Sequence, residues 1–186
     1  MDWEKGEAVE AAFLEEVIQV RQQLYQRGWI GVYPDGVGYG NISKRRDAEG
    51  RFVISGTATG HLENLTPEHF SRVEEVVVAE NRVRCTGPVV ASSESMSHAA
   101  IYRQNREVQG VIHIHCMTLW EKWKDRAPTT PESIPYGTPE MAFAIMDLLD
   151  DPDRARWQFF VMGGHREGCM AFGKNLWDVL EILLKL

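Results

Sequence analysis

The sequence predicts a single α/β domain, and three observations carry that prediction. Segments with apolar residues at helical spacing alternate along the chain with short β-like runs. An apolar helix opens the chain and an amphipathic one, NLWDVLEILLKL, closes it. The 186 residues, 44% of them hydrophobic, suffice for one substantial core and are too few for two comfortable domains, so residues 1–186 are read as one unit.

Each element follows from local signals. Ala8 to Arg27 carries Phe13, Val17, Val20 and Leu24 at helical spacing, and Gly28 ends that helix. GYGNISKR and RFVISG read as strands around the turn DAEG, and RVEEVVVAENRVRCTG as two strands around Glu80-Asn81. Thr66-Pro67 is a cap followed by a proline at the first helical position, marking a small helix. SSESMSHAAIYRQ is a helix with Ser93 as its predicted N-cap, leading into the strand GVIHIH. After the proline-rich loop RAPTTPESIPYGTP, Thr138-Pro139 opens a helix to about Leu149, and WQFFVM and GCMAFG are the last strands.

Composition excludes several function classes. The formal charge is −7, and Lys44-Arg45-Arg46 is the one basic cluster, so a nucleic-acid surface is not expected. No apolar run approaches the roughly 18 residues that a membrane span needs, and no membrane partner is expected. Three cysteines, Cys85, Cys116 and Cys169, lack CxxC spacing, and MDWEKGEAVE has no apolar leader core. A soluble protein of the reducing cytoplasm is expected.

The chemistry concentrates in a few stretches. Because side chains alternate across a strand, His113 and His115 share a face while Ile112, Ile114 and Cys116 share the other. Such a pair suits metal ligation, and equally suits a strand whose histidines are hydrogen-bonded or solvated. His165 is the candidate third ligand, since it follows WQFFVM at the Gly163-Gly164 break, where the backbone can carry a side chain into a crowded site. Three histidines around zinc would leave a fourth position open for water or substrate. At the start of the helix before the histidine strand stands Ser92-Ser93-Glu94. These residues fit an ordinary cap with an acid in the first turn, or an anion site beside a proton-moving carboxylate. GNIS (40–43) and SGTATG (55–60) add small polar residues and glycines of the kind that bind phosphate through amides.

Taken in order, GNIS, SG, SSE, HIH and a lone late histidine resemble the class II aldolase/adducin family, which includes sugar-phosphate aldolases and epimerases. The resemblance runs from about Phe13 to the C-terminus, and SSExxxH followed by HIH is its most specific part. It implies a three-layer α/β/α domain with a central, largely antiparallel sheet, assembled as a homotetramer with active sites at subunit interfaces. It implies a divalent metal, most commonly zinc, on His113, His115 and His165, with Glu94 as acid/base. It implies phosphate binding by Asn41, Ser55, Gly56, Ser92 and Ser93, and a proton-donating tyrosine from a neighbouring subunit, matched by Tyr136. The implied activity is carbon–carbon cleavage of a small hydroxy-ketone, a sugar phosphate, through a metal-stabilised enediolate. An epimerase or dehydratase of the same superfamily, or a non-catalytic adducin-like assembly module, are the alternatives.

Two departures stand out. Val53-Ile54 precede the serine-glycine turn where the family has threonine and proline, which leaves room for a carboxylate-bearing ligand in place of a phosphorylated one. Arg166 and Glu167 follow the late histidine where the family has glycine. That insertion reads either as charge added to the pocket or as a solvated turn.

Overall fold

Alternation along the strands sets the architecture. The computed structural model describes residues 1–186. Its first half runs β1 (Asp2–Lys5), α1 (Ala11–Gln26), β2 (Gly31–Val32), β3 (Gly38–Tyr39), β4 (Asn41–Arg45), β5 (Phe52–Ser55), β6 (Phe70–Val77) and β7 (Arg82–Gly87). The second half runs α2 (Ser95–Gln104), β8 (Gly110–His115), α3 (Met117–Trp123), α4 (Pro139–Asp150), α5 (Pro152–Ala155), β9 (Phe159–Val161), β10 (Gly168–Gly173) and α6 (Leu176–Lys185). Eight strands form one sheet in the order β1-β7-β6-β5-β4-β8-β10-β9, antiparallel at every pairing except β1 with β7.

Both faces of this sheet are covered. Ile42, Val53, Ile112 and Ile114 point to one side and pack with Val17, Leu24, Val179 and Leu183 of α1 and α6. Phe52, Ile54 and Val111 point to the other and pack with Ala100, Ile101, Met141 and Ile145 of α2 and α4. The domain is therefore a three-layer α/β/α sandwich around a largely antiparallel sheet, as expected. Every residue of β8 is buried, and its alternation sends His113 and His115 to the α2/α4 side.

The starts of α4 and α6 are capped, at Thr138 as expected and at Asn175, which the sequence reading did not single out. Thr138 Oγ1 accepts the Met141 amide at 3.2 Å, and Asn175 Oδ1 accepts the Asp178 amide at 2.8 Å. Asn81 takes the left-handed conformation that turns β6 into β7. One cap differs from expectation. The helix α2 begins at Ser95 with Glu94 in the cap position, so Ser93 is not its N-cap and stands exposed. No helix is long and apolar enough to cross a membrane.

Candidate metal centre and substrate pocket

Register brings distant residues together. Asn41 of β4 lies opposite His113 of β8, and His115 lies opposite Gly168 of β10. His165 sits in the turn between β9 and β10, which is closed by the His165 amide on the Met162 carbonyl and the Gly168 amide on the His165 carbonyl. Gly163 and Gly164 make this turn possible, because a side chain at either would collide with the Thr130 or Ile134 carbonyl of the loop packed against it. That loop carries Tyr136, whose ring stacks on His165 with centroids 3.9 Å apart and planes 17° apart.

The three imidazoles form one cluster. Their candidate ligand atoms all lie within 4.8 Å of one another, and all three residues are buried. His113 Nδ1 lies 3.2 Å from the Cys169 carbonyl, which can only accept, so the proton sits on Nδ1 and the Nε2 lone pair faces the cluster. The Nε2 atoms of His113 and His115 are 3.2 Å apart. Two ligands of a tetrahedral ion at about 2.0 Å would be about 3.3 Å apart, so this spacing suits a shared zinc-like cation. His165 Nδ1 is buried with no hydrogen-bond partner, a second sign that this corner is built for something other than its own side chains. Burial and the neighbouring rings hold all three histidines neutral, with His115 and His165 pushed down to about 3. Neutral imidazole is the form that ligates.

Glu94 reaches the same hollow from the start of α2. Its Oε2 accepts from Ser97 Oγ at 2.9 Å, while its Oε1 is buried without a partner. Burial raises its pKa to about 7, and the Ser97 bond only partly offsets this. A carboxyl poised near neutrality can take and return a proton under the same conditions.

The hollow has a volume of about 490 Å³ and is lined by Asn41, Gly56, Ser92, Ser93, Glu94, the three histidines, Tyr136 and Arg166. Asn41 is braced from below: its Oδ1 accepts from His98 Nε2 at 2.6 Å, leaving its amide hydrogens for the pocket. His98, buried and driven down to about 3 by that burial, in turn meets Ser43 Oγ at 2.7 Å, and Ser43 meets Tyr102 Oη at 2.8 Å. Ser92 Oγ accepts the Glu94 amide at 3.3 Å. Ser55 and Gly56 stand differently from their neighbours. Ser55 Oγ accepts the Ile42 amide inside the sheet and does not line the hollow, and the Gly56 amide donates to the His69 carbonyl at 2.8 Å. The amides of Ala58, Thr59 and Gly60, two to four residues further on, carry no hydrogen bond within the protein and belong to lining residues. The basic run past GNIS adds nothing here: Lys44 pairs with Glu16, Arg46 with Glu74, and Arg45 is buried elsewhere.

Two lining or bracing groups escaped the sequence reading. Tyr33, from the β2–β3 hairpin, places Oη 2.8 Å from His115 Nδ1 and 2.6 Å from Glu167 Oε2. Tyr39 packs on Tyr33 and on His115, with centroids 4.5 and 5.3 Å away.

A buried three-histidine cluster beside a neutral-range carboxyl, on an α/β/α sandwich, defines a class II aldolase-type scaffold. Residues 15–183 match the class II aldolase and adducin N-terminal domain, and the chain belongs to that family. Among solved structures it is similar to L-fuculose 1-phosphate aldolase, with a TM-score of 0.71 at 15% identity over 96% of this chain and 84% of that one. It is similar to YgbL from Escherichia coli, with a TM-score of 0.67 at 19% identity over 94% and 84% of the two chains. A sugar-phosphate aldolase from Thermotoga maritima gives 0.61 at 17% identity over 94% of each chain. At these identities the likeness establishes the fold.

Proposed function

We propose that this chain is a metal-dependent lyase that cleaves a carbon–carbon bond in a small phosphorylated hydroxy-ketone. The observation that carries the reading is Glu94: a buried carboxyl with one free oxygen, lining the same hollow as His113, His115 and His165. A non-catalytic assembly module would have no use for that arrangement.

A divalent cation on the three imidazoles, zinc by their donor type, supplies a Lewis acid that offsets negative charge developing at a substrate carbonyl oxygen. The chain's own groups do the rest. In cleavage, the hydroxyl beyond the breaking bond loses its proton, the aldehyde departs, and the electron pair stays on the ketone fragment. Glu94 Oε1 returns a proton to that fragment's carbon and is reset from solvent or from the next substrate. Tyr136, stacked on His165 and half-exposed at the rim, takes the hydroxyl proton as it passes its own to solvent. The phosphate is held by the Asn41 amide, the Ser92 and Ser93 hydroxyls and the free amides of residues 58–60, whose partial charges sum without a formal cation. Half-exposed Tyr136 and the exposed Val37 at the rim support a homotetramer that closes the pocket with a second subunit. The three free thiols support a reducing, cytoplasmic setting.

Arg166 favours a second reading. It lines the hollow and pairs with no carboxylate of the chain, so it suits a substrate carboxylate, and loss of carbon dioxide would use the same carbanion chemistry.

Metal-loaded protein offered a panel of ketose phosphates and of hydroxy- and keto-acid sugars tests both. Wild type should hold about one divalent ion per chain and release an aldehyde, His113→Ala should hold none, and inorganic phosphate should compete. Ser92→Ala should raise KM about tenfold, the loss of one hydrogen bond to a charged group. Release of carbon dioxide in place of an aldehyde overturns the first reading in favour of the second, and an isomer with no cleavage overturns the lyase assignment altogether.

A further inference from the structure

Glu167 belongs to the two-residue departure after His165, and its placement is specific. It holds a left-handed backbone (φ 70°), unusual for a residue with a side chain, and its carbonyl accepts the Cys116 amide at 2.9 Å. Those two constraints fix its carboxylate beside β8, where Oε2 receives the Tyr33 hydroxyl at 2.6 Å. The same hydroxyl oxygen lies 2.8 Å from His115 Nδ1, whereas Glu167 itself stands 4.0 Å from that nitrogen, too far to bond it directly. The proton order follows from donor counting. A carboxylate accepts only, so Tyr33 donates to Glu167; Tyr33 then has only a lone pair for His115, so His115 carries its proton on Nδ1. Its Nε2 lone pair is thereby turned toward His113 Nε2 and the centre of the cluster.

We infer that Tyr33 and Glu167 are positioning residues for the metal, a tyrosine-bridged carboxylate that locks His115 as an Nε2 ligand. This rests on the reading of the three histidines as a metal site. The relay does what a carboxylate bonded directly to a ligating histidine does, fixing ring and tautomer and raising ligand basicity, but from one side chain further away. It also sets a negative charge next to a site whose three ligands are neutral. The sandwich of Tyr33 and Tyr39 against His115 keeps the bridging phenol from swinging to solvent. Glycine at 167, which would suit the backbone, would remove the relay.

The test is metal binding. Metal-free wild type, Tyr33→Phe, Glu167→Gln and the double variant are titrated with zinc against a chromophoric chelator and with cobalt(II) followed by its visible absorption. Each single variant should bind zinc 10- to 100-fold more weakly and shift the cobalt(II) spectrum. The double variant should be no weaker than Tyr33→Phe, because Glu167 acts only through the phenol. Metal-free melting temperatures should stay close to wild type. Variants that bind zinc as tightly as wild type, or whose losses add, overturn the relay and leave the metal site standing. Wild type that takes up neither metal overturns the site and the relay together.

Discussion

The two ends of α2 each open onto a hollow, and the protein treats them in opposite ways. At the C-terminal end lies the larger one, about 710 Å³, lined by Arg45, Phe52, Val76, Tyr102, Arg103 and Phe143 among others. Its central charge is consumed internally: buried Arg45 donates to the carbonyls of Tyr102, Asn105 and Val108 at 2.7, 3.0 and 2.7 Å, a cation set on the negative end of the helix. Arg103 likewise donates to the Val76 carbonyl, and Arg51 pairs with Asp47. At the N-terminal end the hollow is smaller, yet Glu94 Oε1 and His165 Nδ1 are buried without partners. Size does not mark the site. Two unsatisfied ionisable groups held under cover in one hollow do, because such atoms cost stability unless something else binds them; the third buried orphan, Trp123 Nε1, stands alone outside it.

The comparison breaks or sharpens under three measurements. Acid has the largest expected effect. Four buried histidines at the N-terminal end (His98, His113, His115 and His165) have folded-state pKa values depressed below the unfolded 6.5, so the stability they allow is complete above pH 6.5 and is lost as pH falls toward 3. Glu94 opposes this: raised to about 7, it costs stability as pH rises from 4.5 to 7, but it is one group against four. Metal-free protein should therefore lose stability steeply below pH 6.5, by about 1.4 kcal/mol per pH unit for each proton, and His113→Ala should be shallower by about one proton. Denaturant melts from pH 7.5 to 4.5 check this, and a flat profile would mean that the cluster is open to water.

Glu94→Gln comes next. Turnover should fall by about 10²–10⁴ with metal content kept, and the metal-free variant should be more stable than wild type above pH 7, where the buried carboxylate is charged. A variant that turns over normally would reduce Glu94 to a helix-start acid. The smallest effect belongs to the other end of the helix. Arg45→Met removes the donor from three carbonyls and should cost roughly 2–3 kcal/mol in unfolding free energy while metal content and turnover hold. Loss of activity without loss of stability would show the larger hollow to be part of the site.

What the sequence made legible follows the reach of each physical signal. His113 and His115 could be placed on one face because the strand period is two, and the Gly163-Gly164 break announced a crowded turn because nothing larger fits there. The strand β1 gave no such signal: DWEK is exposed at all four positions and is held by edge pairing with β7 and by the Trp3 indole donating to the Gly87 carbonyl at 3.1 Å. Helix α3 starts straight after Cys116 with no capping side chain, so its beginning was invisible. Ser93 misled, since a serine before a helix usually caps it, yet here the backbone delays the helix and frees Ser93 for the pocket. Arg45 was readable in hindsight, because it alternates in step with Asn41 and Ser43, and all three reach α2 or the segment after it. The Tyr33–Glu167 contact joins residues 134 positions apart, and no local pattern encodes it.

The strand order β4-β8-β10 has a consequence for how the protein comes into being. Asn41, Glu94, His113 and His165 come from widely separated stretches of the chain, and they meet only when β10 has paired with β8 and β8 with β4. Pairings between strands so far apart in sequence must overcome the entropy of closing long loops before they stabilise anything, so they are slow steps. A nascent chain shorter than 165 residues has His113 and His115 on a strand whose β10 side is still open, and lacks His165. A cation at the proposed site would thus bind only after assembly is complete: it would tighten a domain already built, by mass action, and would not serve as the nucleus around which the chain collapses.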